Sequence, residues 1–262
     1  MKVVILAGGF GTRISEESHL RPKPMIEIGD KPLLWHIMKN FSEQGFNEFI
    51  IAAGYKQEFI KQWFFNRTWY SNDITITQNE QGYPHVHIHQ KRDGVDPWSV
   101  TIVDTGLATM TGGRVARLRD YIGDEPFIVT YGDGVSNIDM NAVVALHKEN
   151  GRLATISTYN YQQNKGVVEV YGNQVMAFRE KSATDSQVIN IGYMVFQPEV
   201  LDMMEGDGTI LEKNCLTALA ANGQLSAYHH YGFWQCMDTI REKQLLEKLW
   251  SEGNAPWKNW ED

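Results

Sequence analysis

The chain has 262 residues, 42% of them hydrophobic, which is enough for a sizeable core and fits one large α/β domain or one domain with a small appendage. Its formal net charge of −8 argues against a nucleic-acid partner, which a basic patch or excess normally marks, although local cations can still hold a small polyphosphate. Two cysteines, Cys215 and Cys236, no C-x-x-C and no membrane-length apolar run predict buried thiols in a reducing cytoplasm, with a disulfide between the two as the alternative; Val3 to Ala7 is too short for a secretory h-region.

The apolar run Val3–Ala7 is followed by three glycines in four positions, Gly8, Gly9 and Gly11, and then by Thr12 and Arg13. This predicts a buried strand ending in a loop that approaches a ligand closely, because glycine leaves backbone N–H groups uncovered and able to face phosphate oxygens. An ordinary strand-to-loop turn is the competing reading, since glycine clusters punctuate any α/β chain. Neither the Walker nor the dinucleotide glycine pattern fits, because the loop lacks Gly-Lys-Ser/Thr and runs on through Arg13 toward Pro22. Lys23 then lies between Pro22 and Pro24, which stiffen the backbone around one cation and disfavour a helix there.

Lys31-Pro32 predicts a helix start, and Leu33, Leu34, Ile37, Met38 and Phe41 recur at helical spacing until Gly45. A strand over 48–53, closed by Gly54, and a helix over 58–65 continue the alternation of a doubly wound, mostly parallel α/β sheet, whose ligands gather at the carboxyl ends of the strands. The segment 68–97 breaks this rhythm. In it, period-two alternation puts His85, His87 and His89 on one strand face, as either a metal site or an exposed polar face.

A strand over 99–105 leads to Met110-Thr111-Gly112-Gly113-Arg114 and a helix carrying Val115, Leu118 and Tyr121. The adjacent glycines allow close backbone approach to a ligand and Arg114 offers a fork of donors, unless this is merely a helix entry with an exposed arginine. The strand Phe127–Tyr131 runs into Gly132-Asp133-Gly134, where a carboxylate can reach a metal or a sugar hydroxyl; a solvated turn aspartate is the alternative. After a helix over 140–149 and a strand over 154–158, the second half reads as short strands with a Gly172-Asn173 hairpin turn, then helices over 210–221 and 239–250. Asp238 on its own reads as the N-cap of the last helix.

Leu6-Ala7-Gly8-Gly9-Phe10-Gly11-Thr12-Arg13 with Pro22-Lys23-Pro24-Met25 resembles the signature of the sugar-1-phosphate nucleotidyltransferases. Lys31-Pro32-Leu33-Leu34-Trp35-His36-Ile37-Met38-Lys39, Met110-Thr111-Gly112-Gly113-Arg114 and the tail Ala255-Pro256-Trp257-Lys258-Asn259-Trp260-Glu261 extend the likeness to its cytidylyl branch, over nearly the whole chain. The resemblance implies a single domain over 1–262, with a nucleotide-binding part over about 1–155 and a smaller strand-rich part for sugar binding and oligomerisation over about 156–262. It implies transfer of a cytidylyl group from CTP to α-D-glucose 1-phosphate by Mg²⁺-assisted in-line attack, giving CDP-glucose for lipopolysaccharide or capsule biosynthesis.

Carried over residue by residue, Leu6, Ala7, Gly8, Gly9, Gly11, Thr12 and Arg13 hold the triphosphate, with Arg13 on the leaving pyrophosphate and Lys23 on the α-phosphate as the catalytic cations. Thr111, Gly112 and Arg114 line the base pocket, Asp133 and Asp238 hold Mg²⁺, and Gly166, Glu180, Lys181 and Asn190 meet the sugar phosphate. The resemblance also implies a homo-oligomer, with a hexamer among the candidate assemblies, and no membrane or nucleic-acid partner. Two residues depart from the family pattern: Ser182 replaces a proline after Lys181, and Ile191 replaces a glycine after Asn190. UTP, dTTP or another acceptor phosphate therefore stays open. So does a catalytically silent regulatory homologue, although that would be expected to have lost Arg13, Lys23 or one of the aspartates, and all are present; a glycosyltransferase would show Asp-x-Asp, which is absent.

Overall fold

The computed structural model describes residues 1–70, 72–89, 96–162, 167–172, 174–179 and 186–261. Its centre is a seven-stranded sheet in the order Leu225–His230, Ala154–Gln162, Ser186–Phe196, Phe127–Tyr131, Val3–Ala7, Glu48–Ala53, Ser99–Asp104. All of Val3–Ala7 is buried: Val3, Ile5 and Ala7 face one hydrophobic core and Val4 and Leu6 the other, as expected of a strand covered on both faces. The sheet is parallel except for Ser186–Phe196, which runs antiparallel to both neighbours.

From the second half, Ser186–Phe196 and Leu225–His230 join the central sheet. The hairpin of Val167–Tyr171 and Gln174–Arg179 is separate from it, as is Trp234–Cys236, which pairs with Gly134–Ser136; Gly172 turns the hairpin at a φ of 59°, and Asn173 lies outside the described residues. The strand expected over 154–158 extends to Gln162 through a bulge between Ile156 and Thr158. The single helix expected after Met110 is two short ones, Thr111–Ala116 and Arg119–Ile122, and the one expected over 210–221 begins as a π-helical turn, Leu211–Leu216, before Thr217–Ala221.

The tail tryptophans pack inside this chain. Trp257 is fully buried, its indole N–H donates to His36 Nδ1 at 3.4 Å, and the His36 ring lies edge-on to Trp35, Trp250 and Trp257. Opposite, His36 Nε2–H donates to Ile28 O at 2.9 Å, and burial pushes the imidazole pKa down to about 4. The tail thereby ties the helix Leu33–Glu43 to the last helix, Ile240–Ser251.

His85 and His87 lie on the exposed strand Pro84–Ile88, and His89 follows it; His89 shares a hydrogen bond with Thr75 at 2.7 Å. No group of three or more potential metal ligands occurs among the described residues, so this run takes the polar-face reading. Cys215 is buried and Cys236 half-buried, both as free thiols. No helix among the described residues is long and apolar enough to cross a membrane.

Candidate active site

Val3–Ala7 lies between Glu48–Ala53 and Phe127–Tyr131, parallel to both, with Ala7 opposite Ala53 and Leu6 opposite Tyr131. The chain leaves the first strand toward one side and later returns on the other, so the strand ends frame a crevice at the point where the winding reverses. A cavity of about 400 Å³ opens there. The expected residues Leu6, Ala7, Gly8, Gly9, Gly11, Thr12, Lys23, Thr111, Arg114 and Asp133 all line it. Gly11 has a φ of 65°, in the left-handed region that favours glycine, so the loop could not turn this way with a side chain at low cost.

Lys23 is buried on the short turn Lys23–Met25, where Pro22 and Pro24 restrict the backbone and Met25 N–H and Ile26 N–H close onto Pro22 O and Lys23 O. Its ammonium donates to Asp133 Oδ2 at 2.9 Å and also to Asp238 Oδ1. Burial alone would lower the lysine pKa, but the Asp133 charge and hydrogen bonds to both carboxylates reverse this and hold it above the ordinary value.

The two aspartates, far apart in sequence, are brought together by the backbone. Trp234–Cys236 pairs antiparallel with Gly134–Ser136, placing Cys236 opposite Gly134, and Met237 N–H donates to Asp133 O at 2.8 Å. Asp238 is not the cap of the last helix. Thr239 is, accepting from Glu242 N–H, while the Glu242 carboxylate accepts from the N–H groups of Asp238 and Thr239 at 2.7 and 2.8 Å. The Asp238 carboxylate faces Lys23 instead. Two carboxylates converging on one buried ammonium form an oxygen-lined cation position, and this donor set fits Mg²⁺, which one or two carboxylates plus phosphate oxygens usually hold.

Arg114 lines the cavity, yet its guanidinium serves the protein's own loops. It donates to Thr105 Oγ1 at 2.7 Å, Gly106 O at 2.8 Å and Gly8 O at 2.9 Å, and burial lowers its pKa from the ordinary value. Arg114 thus clamps the loops after two strands from its place in the cavity wall. Gly112 is not among the residues lining the cavity: a Cβ there would meet Thr209 Cγ2 at 2.7 Å, so its missing side chain makes room for Thr209 and Leu211.

Sequence reasoning missed Tyr131 and Glu212. The Tyr131 hydroxyl donates to Glu212 Oε1, while Thr111 Oγ1 donates to Glu212 Oε2 at 3.0 Å and accepts from Leu211 N–H at 2.9 Å. Burial and then the Glu212 charge raise the phenol pKa, so Tyr131 remains a donor. Tyr131 also walls a small adjoining cavity of about 70 Å³ that reaches Asp133, Asn190, Ile191 and Trp234, so the expected sugar contact Asn190 lies beside the aspartate site. The position of Tyr131 at a strand end before Gly132-Asp133 could have signalled it; Glu212, 81 residues away on a π-helical turn, gave no local signal. Gly166, Glu180 and Lys181 lie outside the described residues, as do Ser182 and the side chain of Arg13.

The family model for nucleotidyl transferases matches residues 2–241. The chain belongs to the nucleotidyl transferase family. This nucleotidyl transferase is 47% identical to a glucose-1-phosphate cytidylyltransferase of Salmonella typhi over all of both chains. It is 40% identical to a probable glucose-1-phosphate cytidylyltransferase of Bacillus subtilis over 99% of this chain and 100% of the relative. Among solved structures it resembles HddC from Yersinia pseudotuberculosis, with a TM-score of 0.70, 21% identity and coverage of 95% and 99% of the two chains. It also resembles a UDP-glucose pyrophosphorylase in complex with UDP-glucose, with a TM-score of 0.68, 16% identity and coverage of 96% and 98%. These two likenesses show a common fold.

Proposed function

We propose that this nucleotidyl transferase joins CTP to α-D-glucose 1-phosphate, releasing pyrophosphate and forming CDP-glucose. The buried Lys23 between Asp133 and Asp238, at the mouth of the Gly8–Arg13 loop, carries the reading. The choice of cytosine and glucose is supported by the full-length likeness to the Salmonella typhi cytidylyltransferase.

An oxygen of the sugar phosphate attacks the α-phosphorus, the bond from that phosphorus to the bridging oxygen breaks, and pyrophosphate leaves with the bond electrons. No protein nucleophile is needed, so the residues act by aligning two polyanions and stabilising their charge. Lys23 donates to a non-bridging α-phosphate oxygen, and the Gly8–Arg13 loop cradles the β- and γ-phosphates with Arg13 on the leaving group. Asp133 and Asp238 hold Mg²⁺, which when bound neutralises phosphate charge. Gly166, Glu180, Lys181 and Asn190 orient the acceptor. Thr111, Gly112 and Arg114 line the base pocket, and the Arg114 hydrogen bonds together with the Tyr131–Glu212–Thr111 link fix the loops around it.

Pyrophosphate release measured for each nucleoside triphosphate against each common sugar 1-phosphate tests the proposal. The expected result is a clear preference for CTP with glucose 1-phosphate; equal rates with CTP and dTTP would move the chain to another branch. Homo-oligomeric assembly, including a hexamer, belongs to the same proposal and is read by analytical ultracentrifugation.

A further inference from the structure

Lys23 has two tasks that its ammonium cannot perform at once. The proposed transfer places it on the α-phosphate, whereas the structure places it between the two carboxylates, 2.9 Å from Asp133 Oδ2 and hydrogen-bonded to Asp238 Oδ1. The two carboxylates are held facing each other across the ammonium by the main chain that carries them. Their backbones are fastened by the Cys236–Gly134 pairing and the Met237 N–H to Asp133 O hydrogen bond, and Asp238 N–H is further held by Glu242. Mg²⁺ needs its oxygen ligands at ~2.0–2.1 Å, so a metal on these oxygens would stand in contact with an ammonium hydrogen-bonded to the same two groups. Two cations that close repel strongly in a partly buried site.

The Lys23 side chain is suited to leaving. Pro22 and Pro24 hold the main chain, so the flexible four-carbon stem can swing while the turn stays fixed. A neighbouring acceptor is at hand, because the cavity that receives the triphosphate begins at Lys23 itself. With no cation between them, the aspartates would repel each other across the site, so the position favours one positive charge at all times.

We propose that Lys23 is a placeholder for the metal: without nucleotide its ammonium occupies the cation position between Asp133 and Asp238, and the divalent cation takes that position only as Lys23 moves to the α-phosphate of the incoming triphosphate. Resting on the proposed nucleotidyl transfer, this makes the metal site nucleotide-dependent. Metal entry and delivery of the catalytic lysine become one coupled event, and the protein without substrate holds divalent cations weakly.

The test uses Mn²⁺ as the probe, with free Mn²⁺ followed by electron paramagnetic resonance against the full chain. Without nucleotide, Lys23→Met and Lys23→Gln should bind Mn²⁺ at least ten-fold more tightly than wild type. Lys243→Met, which removes a nearby cation that pairs with Glu17 rather than with the aspartates, should change nothing. Adding the α,β-methylene analogue of CTP should tighten Mn²⁺ binding in wild type by a larger factor than in the Lys23 variants, since only wild type has a placeholder to release. Circular dichroism and the second Lys23 variant separate a folding failure from a binding result. Lys23 variants that bind Mn²⁺ no more tightly than wild type, or a nucleotide effect equal in wild type and variants, would overturn the placeholder. The aspartates discriminate the two levels: if Asp133→Asn and Asp238→Asn abolish analogue-dependent Mn²⁺ binding while the Lys23 variants gain nothing, only the placeholder fails. If neither aspartate variant affects Mn²⁺ binding even with the analogue, the metal assignment in the proposed function falls, and the placeholder with it.

Discussion

The guanidinium of Arg114 lies where a side chain on Gly8 would begin: a Cβ built on Gly8 would stand 2.1 Å from Arg114 Nη1, while Nη2 donates to Gly8 O at 2.9 Å. The same nitrogen would lie 2.5 Å from a Cβ on Gly54. Glycines closing two adjacent strands are thus needed for an arginine that joins their loops, and the phosphate loop takes its shape from within the protein before any ligand binds.

Gly8→Ala is therefore expected to push Arg114 out of its carbonyl cage and to lower stability by about 1–3 kcal/mol, the usual cost of overpacking a filled site. Arg114→Lys should cost a similar ~1–3 kcal/mol, because one ammonium cannot reproduce a fork that reaches Gly8, Thr105 and Gly106 together, leaving buried acceptors unpaired. Chemical unfolding of both variants checks this. A Gly8→Ala protein with wild-type stability would show that Arg114 can step aside freely.

Much of this site is legible in the sequence because its determinants are local. Val3–Ala7 followed by Gly8, Gly9 and Gly11 gives a buried strand and its loop, and Pro22 and Pro24 mark Lys23 as a cation on a stiff turn. What is not legible depends on contacts between distant residues. Gly112 reads like a ligand-approach glycine but makes room for Thr209, and Asp238 reads like a cap although Thr239 and Glu242 perform that role. The burial of Trp257 against His36 likewise joins residues 221 positions apart in the sequence. The second-half strands make the same point: alternation identifies a strand, but which sheet it joins is decided by partners it does not name.

Asp133→Asn and Asp238→Asn should each remove most Mg²⁺-dependent pyrophosphate release while circular dichroism stays at wild type, since each loses a charged donor and neither belongs to the hydrophobic core. Lys23→Ala should lower kcat by about 10²-fold or more, the usual consequence of removing a donor to developing charge. A change confined to KM would reduce Lys23 to a ground-state contact.

His36 gives the fold a definite pH dependence. Burial among the tryptophans holds its pKa at about 4, against a value of about 6.5 in the unfolded chain. The unfolded state therefore binds more protons between these values, so the contribution of His36 is complete above pH ~6.5, falls as the pH drops toward ~4, and is flat below. The full span is roughly 3 kcal/mol, with a slope of at most about 1.4 kcal/mol per pH unit. Urea unfolding between pH 7 and 4.5 should show this slope in wild type, and His36→Leu should lose it. An unchanged slope in the variant would assign the acid sensitivity elsewhere.

The acceptor turns on Ile191, the residue that departs from the family's glycine beside Asn190. From sequence alone it could crowd a sugar hydroxyl or point into the core. In the structure it is 4% exposed and belongs to the larger hydrophobic cluster, forming part of the wall of the small cavity from its core side, while the next residue, Gly192, has a φ of 79° and donates its N–H to Asn190 Oδ1 at 2.9 Å. That bond directs the Asn190 side chain back onto its own turn. Gly192 itself is pressed against the Tyr131 ring, which would lie 2.1 Å from a Cβ there. Glucose 1-phosphate should accordingly be used efficiently by the wild-type chain, and shortening Ile191 should not improve it. Ile191→Ala is expected to destabilise the protein by about 2–5 kcal/mol, the range for truncating a buried isoleucine, with the specificity ratio between glucose 1-phosphate and other sugar phosphates unchanged at a temperature where the variant is folded. Gly192→Ala should be the damaging change for the sugar side, because strain at a positive φ and a collision with Tyr131 fall on the wall between the two cavities. Kinetics with a panel of sugar 1-phosphates decides the matter: an Ile191→Ala enzyme that gains acceptors or shifts its preference would return that side chain to the pocket and reopen the choice of sugar.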